Sequence, residues 1–144
     1  MTIWKPGRRL FSTAAILMLL MAAAHSAGNI QGPLEPPEQK LFSDMDSFRS
    51  PLGLGMTPSV KDFFFAMGWT VSLTFAALGS INLSLAAISE TPDRVFRRVS
   101  WMNALWLGAL LFVACVYRVP PPLISAVIIE VVVIASLFKR TRLA

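Results

Sequence analysis

The sequence has few of the residues that usually carry chemistry. Its 144 residues include one cysteine, one histidine and one tyrosine, and only 15% are charged. Cys115 stands alone in an apolar run, which excludes a disulfide framework and a multi-cysteine metal site; we expect it to be a small buried hydrophobe. One histidine, His25, cannot supply both axial ligands of an electron-transfer haem. We therefore expect no cofactor and no metal.

Apolar residues are what the chain has in excess. They make up 55% of it, and the mean hydropathy is +0.62, whereas soluble domains contain about 45 to 50%. The length allows a single membrane domain, residues 1–144, and no separate catalytic domain. The net charge of +5 does not indicate nucleic acid, because the basic residues lie beside apolar segments rather than on one face of a soluble fold.

Four apolar segments predict membrane-spanning helices, at about residues 10–28, 63–88, 99–117 and 120–138, with an outer loop at 29–62. The first three can each cross a hydrocarbon core of about 30 Å. The fourth is apolar mainly over residues 123–138 and must recruit the prolines before it or lie in thinned bilayer. We expect an all-α fold: an antiparallel bundle of four transmembrane helices.

The basic residues predict the orientation. One set flanks the start, the second connection and the end of the chain: Lys5, Arg8, Arg9, Arg94, Arg97, Arg98, Lys139, Arg140 and Arg142. The other side would hold only Lys40, Arg49, Lys61 and Arg118. By the positive-inside rule, both termini are expected in the cytoplasm.

The first segment has two interpretations. It could be a signal peptide cleaved near residue 26, which would leave a three-span protein, or a retained span. Its apolar run is longer than a signal peptide needs, and Ala15, Ala23 and Ala27 offer a face for close helix packing. Both arguments favour retention.

The outer loop predicts a short amphipathic helix. Pro36 and Pro37 favour a helix start and Pro51 a stop. Between them, an apolar stripe recurs at helical spacing: Leu41, Met45, Phe48 and Leu52. We expect this helix on the outer membrane surface or capping the bundle.

Small and polar residues predict how the helices pack. The second span carries a small residue every four positions, which we interpret as one continuous packing face: Gly68, Ser72, Ala76, Ser80 and Ser84. The third offers Ser100, Ala104 and Gly108. Asn82 and Asn103 should lie at similar depth, so we expect a hydrogen bond between these helices.

Glu130 is the candidate for a functional group, since it lies within the last apolar segment with no basic residue beside it. It should be neutral, paired or facing water. The alternatives are a titrating site, with His25 as a proton relay, and a structural hydrogen bond to Thr70 or Thr74. His25 has its own structural interpretation, a hydrogen bond at the interface. We expect Glu130 to be largely protonated and to face the second or third span rather than lipid.

Three motifs resemble an uncharacterised family of small bacterial four-helix membrane proteins: AAAHSAG at 22–28, FFFAMGWTVSLTFAALGSINL at 63–83 and YRVPPP at 117–122. The chain differs from that pattern in having Thr70 and Ser72 where a second histidine is expected. The resemblance implies retention of the first span and a bacterial inner-membrane location. It implies no activity.

These observations lead to two main hypotheses. The first is a non-enzymatic subunit, or an assembly or stability factor, that contacts the bilayer, other membrane subunits or a second copy. The alternative is a proton-coupled carrier or a binder of small lipophiles that uses Glu130 and His25. An enzyme is the least supported class, because no nucleophile and base are paired in the sequence.

Overall fold

The computed structural model describes residues 6–30, 34–53, 55–88, 92–116 and 120–138, and this part of the chain is all-helical with five helices. They are α1 (Pro6–Asn29), α2 (Pro36–Ser47), α3 (Val60–Ala87), α4 (Asp93–Val116) and α5 (Pro120–Phe138). By length and composition, three of them, α1, α3 and α4, could cross a membrane. The all-helical prediction is thus confirmed, and the three long apolar helices are those of a membrane-embedded chain. The fourth span and the four-helix bundle stay predictions.

The chain forms two compact units. One comprises Met1–Met21 and Ala76–Ala144, and the other comprises Ala22–Phe75. The first therefore holds the start of α1, the end of α3, and all of α4 and α5. The second holds the end of α1, all of α2 and the start of α3. We call them the first and second unit.

In the first unit, α1 and α3 run antiparallel in close contact. A Cβ atom at Gly79 would lie 2.9 Å from the Ala15 carbonyl oxygen and 2.8 Å from the Leu19 Cγ. Ala15 and Met18 are fully buried on this side of α1. The helices approach at this point because residue 79 has no side chain.

Helices α4 and α5 also pack against each other in the first unit, each with a series of buried residues at steps of three, four or seven positions. On α4 these are Ser100, Asn103, Leu107 and Ala114, and on α5 Ala126, Ile129 and Val133. This spacing is typical of antiparallel helices that cross at a shallow angle. Cys115 lies one position beyond the buried Ala114 and is exposed, so the prediction that it is buried is wrong.

In the second unit, α2 begins as predicted, at Pro36, with Glu35 and Glu38 forming a reciprocal capping box. It ends at Ser47, earlier than expected, because Phe48 has extended backbone. The predicted helical stripe is therefore wrong at Phe48 and Leu52, which lie beyond the end of the helix.

A hairpin formed by residues 48–53 and 55–60 replaces the end of that stripe. Val60 N donates to Phe48 O (2.9 Å), Ser50 N to Pro58 O (3.1 Å) and Leu52 N to Met56 O (3.0 Å). Gly53 and Gly55 have φ of 84° and 74°, which other residues rarely adopt, and they allow the tight turn. These cross-strand bonds, which a helix through this segment could not make, end α2.

We expect Gly79→Ala to destabilise the protein. Alanine favours a helix over glycine by about 1 kcal/mol, but the added methyl would overlap a backbone oxygen that cannot rotate away, and overpacking costs about 1 to 3 kcal/mol. Gly108→Ala is the matched control, because a Cβ there meets no atom within 4 Å. Unfolding in mixed detergent micelles should separate the variants; equal stability of the two would contradict the close approach.

Candidate functional site

The buried polar residues of the first unit are held by weak contacts. Asn82 is 2% exposed, and its Nδ2 donates to the Met18 sulfur at 3.5 Å. Its Oδ1 is buried, with no hydrogen-bond partner among the described residues. The predicted bond between Asn82 and Asn103 is therefore not formed; Asn82 pairs with α1 instead. Asn103 is itself buried on α4.

Two serines connect α4 and α5. The Ser136 hydroxyl lies 3.5 Å from the Ser100 hydroxyl and donates to its own helix at Val133 O, at 2.6 Å. The shorter bond is the stronger one, so the contact between the helices is secondary. Ser100 was predicted as a packing residue, whereas Ser136 carries no pattern that would have identified it.

Glu130 is half-buried beside the seam between α4 and α5, next to the buried Ile129. Its Oε2 is shielded from solvent and has no hydrogen-bond partner within the described part of the chain. Counting from the Ser100–Ser136 contact, the antiparallel register places Glu130 level with Trp106. Arg118, one of the four basic residues predicted on the outer side, lies outside the described residues.

The other predicted binding residues lie in the second unit. His25 is half-buried on α1. The hydroxyls of Thr70 and Thr74 donate to carbonyl oxygens one turn earlier on α3, at Ala66 (2.7 Å) and Thr70 (2.8 Å). Each retains lone pairs that can accept a further bond, and the predicted hydrogen bond from Glu130 to either threonine stays a prediction.

The small residues of α3 do not form the continuous face that we predicted. Ser72 is buried and Gly68 packs against Asn29, but Ser80 and Ser84 are exposed. The reason is geometric: a spacing of four residues overshoots the helical turn by about 40° per step, so the stripe winds around the helix. The buried residues instead alternate steps of three and four: Ser72, Phe75, Gly79, Asn82 and Ala86.

The small residues of α1, which we predicted to form one packing face, also wind around their helix. Ala15 is buried, whereas Ala23 and Ala27 are exposed. The buried side passes instead through Phe11, Met18 and Ala22. A role for the exposed small residues in packing against other chains stays a prediction.

Arg8 has a structural role that sequence reasoning missed. Its guanidinium donates to the Ile88 carbonyl at 3.1 Å and lies 4.6 Å from the centre of the Phe96 ring. Phe11 meets the same ring edge to face, at 5.2 Å. Ile88 directly follows α3, so the positive charge lies at the negative end of that helix. In the first unit, Arg8 therefore joins the start of α1, the end of α3 and the start of α4.

Comparison with known protein families, curated proteins and solved structures finds no match.

Among the described residues of the first unit, the buried polar groups Asn82, Ser100 and Ser136 lie along helix pairs. Among the described residues, no group of three or more His, Cys, Asp or Glu side chains could hold a metal ion. Glu130 combines an ionisable group with a buried oxygen that has no hydrogen-bond partner in the described part of the chain. This carboxyl is the strongest candidate for a titrating or binding group.

We expect Glu130→Gln to leave stability unchanged and Glu130→Leu to lower it by about 0.6 kcal/mol or less, the typical value of one intramembrane hydrogen bond. Unfolding in mixed micelles measures both, with the surface change Val131→Leu as a control. A loss of about 3 to 5 kcal/mol would instead indicate a broken buried ion pair and would contradict a neutral Glu130.

Proposed function

We propose that the protein is a multi-pass component of the bacterial inner membrane, with four spans and both termini in the cytoplasm. Three helices meet the length and hydropathy needed for a span. We add α5, which is 19 residues long and matches the predicted fourth span. Arg8, Ile88 and Phe96 meet at one end of the first unit, which supports placing the basic flanks of α1 and α4 on the same side.

We also propose that the first span is retained. Phe11, Ala15 and Met18 are buried in the first unit, and Arg8 caps α3. Cleavage near residue 26 would remove all four contacts, and α3 would lose its partner at Gly79. The packing therefore favours a structural segment over a cleaved leader.

Within the membrane, we propose a non-enzymatic role as a subunit or as an assembly or stability factor. The supporting observation is an exposed strip of small residues on α3, which we call the outer small face: Ala77, Ser80, Ser84 and Ala87. They follow the steps of three and four that keep residues on one side of a helix. In lipid, such a face favours close approach of another helix, from a second copy or from a different subunit.

A proton-coupled carrier or lipophile binder is the second candidate. It is favoured by the buried, unpartnered Oε2 of Glu130, with His25 as the proposed relay. Replacing the acid by its amide keeps the shape and removes the titration. Transport or ligand binding that is unchanged in Glu130→Gln would rule out this alternative.

The four-span topology predicts a cytoplasmic C-terminus. A green fluorescent protein fused there should fluoresce, and an alkaline phosphatase fusion should be inactive. In a Cys115→Ser background, a cysteine at the exposed Ser43 of α2 should react with a membrane-impermeant maleimide in intact cells. If α5 does not cross, the fusion results reverse while Ser43→Cys labelling persists.

The intact mass of the purified protein tests retention of the first span.

The subunit role predicts that the tagged protein co-purifies with a companion, or with a second copy, in mild detergent. Ser80→Phe combined with Ser84→Phe should abolish that association, since bulky rings prevent close approach. Leu105→Phe, at an exposed position of α4, is the matched control and should retain it. A wild-type protein that always isolates alone would contradict the role.

A further inference from the structure

The hairpin at residues 48–53 and 55–60 has one largely apolar side. Paired residues on an antiparallel hairpin share a face, and alternate residues along each strand return to it. Phe48 pairs with Val60 and Leu52 bonds to Met56, with Ser50 and Pro58 between them on the same side. We call the four apolar residues of this side the apolar hairpin face. Phe48 is 67% exposed, Leu52 56%, Met56 53% and Val60 46%. No described contact covers this much apolar surface.

Several backbone amides of the hairpin are paired within the protein, which lowers the cost of placing the hairpin against lipid. Its cross-strand bonds satisfy the amides of Ser50, Leu52 and Val60 internally. Pro51 and Pro58 have no N–H group. The amide of Ser59 donates to the Asp62 carboxylate at 2.8 Å. Exposed amides are the main obstacle to placing irregular backbone in lipid, and here many of them are already paired.

The apolar hairpin face continues into a membrane helix. Val60 closes the hairpin and is also the first residue of α3. Phe63, Phe64 and Met67 follow it at steps of three and four, and all are exposed. Since α3 is apolar enough to cross a membrane, we assign these exposed residues to its lipid-facing side; the Phe64 ring also contacts Phe42 of α2, at 6.2 Å. The hairpin extends that lipid-facing surface without interruption.

We propose that the apolar hairpin face inserts into the outer leaflet of the bilayer and lies at the boundary between headgroups and acyl chains. The partner is the lipid surface itself. Arg49, on the opposite side of the hairpin, pairs with Asp46 at 3.2 Å and stays at headgroup level. This inference rests on the proposed membrane crossing of α3 and on an outer position of the loop, but not on the subunit role.

The test uses single cysteines in the Cys115→Ser protein, each labelled with an NBD fluorophore and reconstituted in phosphatidylcholine vesicles. Leu52→Cys and Met56→Cys report on the apolar hairpin face. Thr57→Cys is the matched control, because alternation places it on the opposite side. Met67→Cys reports on α3. Each sample is titrated with nitroxide-labelled lipid and with iodide, which quench from the membrane and from water respectively.

The expected result is blue-shifted emission and severalfold stronger lipid quenching at Leu52→Cys and Met56→Cys than at Thr57→Cys, with the reverse order for iodide. If Met67→Cys is quenched by lipid but the two hairpin probes are quenched by iodide, the insertion is refuted while the membrane crossing stands. Hairpin probes protected from both quenchers indicate a protein partner and also refute it. If Met67→Cys is itself quenched only by iodide, the membrane crossing of α3 fails.

Discussion

The approach of α1 to α3 at Gly79 is the constraint on which much of the first unit depends. Apolar side chains gain little by leaving lipid for one another, so helices in a membrane associate through close packing. The missing side chain at Gly79 brings the Ala15 carbonyl within contact distance. The same register sets Met18 against Asn82 and brings Arg8 to Ile88. Each contact is weak, but all of them require this one alignment.

Sequence reasoning located the helices well because lipid leaves the backbone few choices. A long apolar segment must satisfy its amides internally, so its composition alone predicts a helix. The start of α2 was also predictable, since a helix tolerates residues such as Pro36 and Pro37 only in its first turn. The hairpin was not found, because its bonds join Phe48 to Val60 and Leu52 to Met56. The RSPLGLGM stretch at 49–56 contains two glycines that permit a turn. The helical spacing of its apolar residues favoured a helix instead, so the hairpin was not predicted.

The buried faces of the helices and the partners of individual side chains were predicted less well than the positions of the helices. Small residues at every fourth position of α3 suggest one continuous face. However, Ser84 lies about 160° around the helix axis from Gly68. The partner of Asn82 could not be inferred from depth alone, because α1 and α4 both offer contacts and only the fold selects Met18. The location of Glu130 within a helix was predictable, whereas the unpartnered state of its Oε2 depends on surrounding side chains. Physical pattern thus identifies candidate residues but not their pairings.

The bond between Arg8 and Ile88 joins residues that are 80 positions apart, and this separation has a consequence for biosynthesis. Ala15 meets Gly79 only after the residues between them have been made. At about 5 to 20 residues per second, α1 remains for several seconds in the membrane without this partner. Its future contact surface faces lipid or the insertion machinery during that time. Helices α4 and α5, adjacent in sequence, meet almost as soon as they emerge. Assembly therefore has a slow long-range step followed by a fast local one, and a defect at Gly79 would prolong the interval in which an unpaired α1 is open to quality-control proteases.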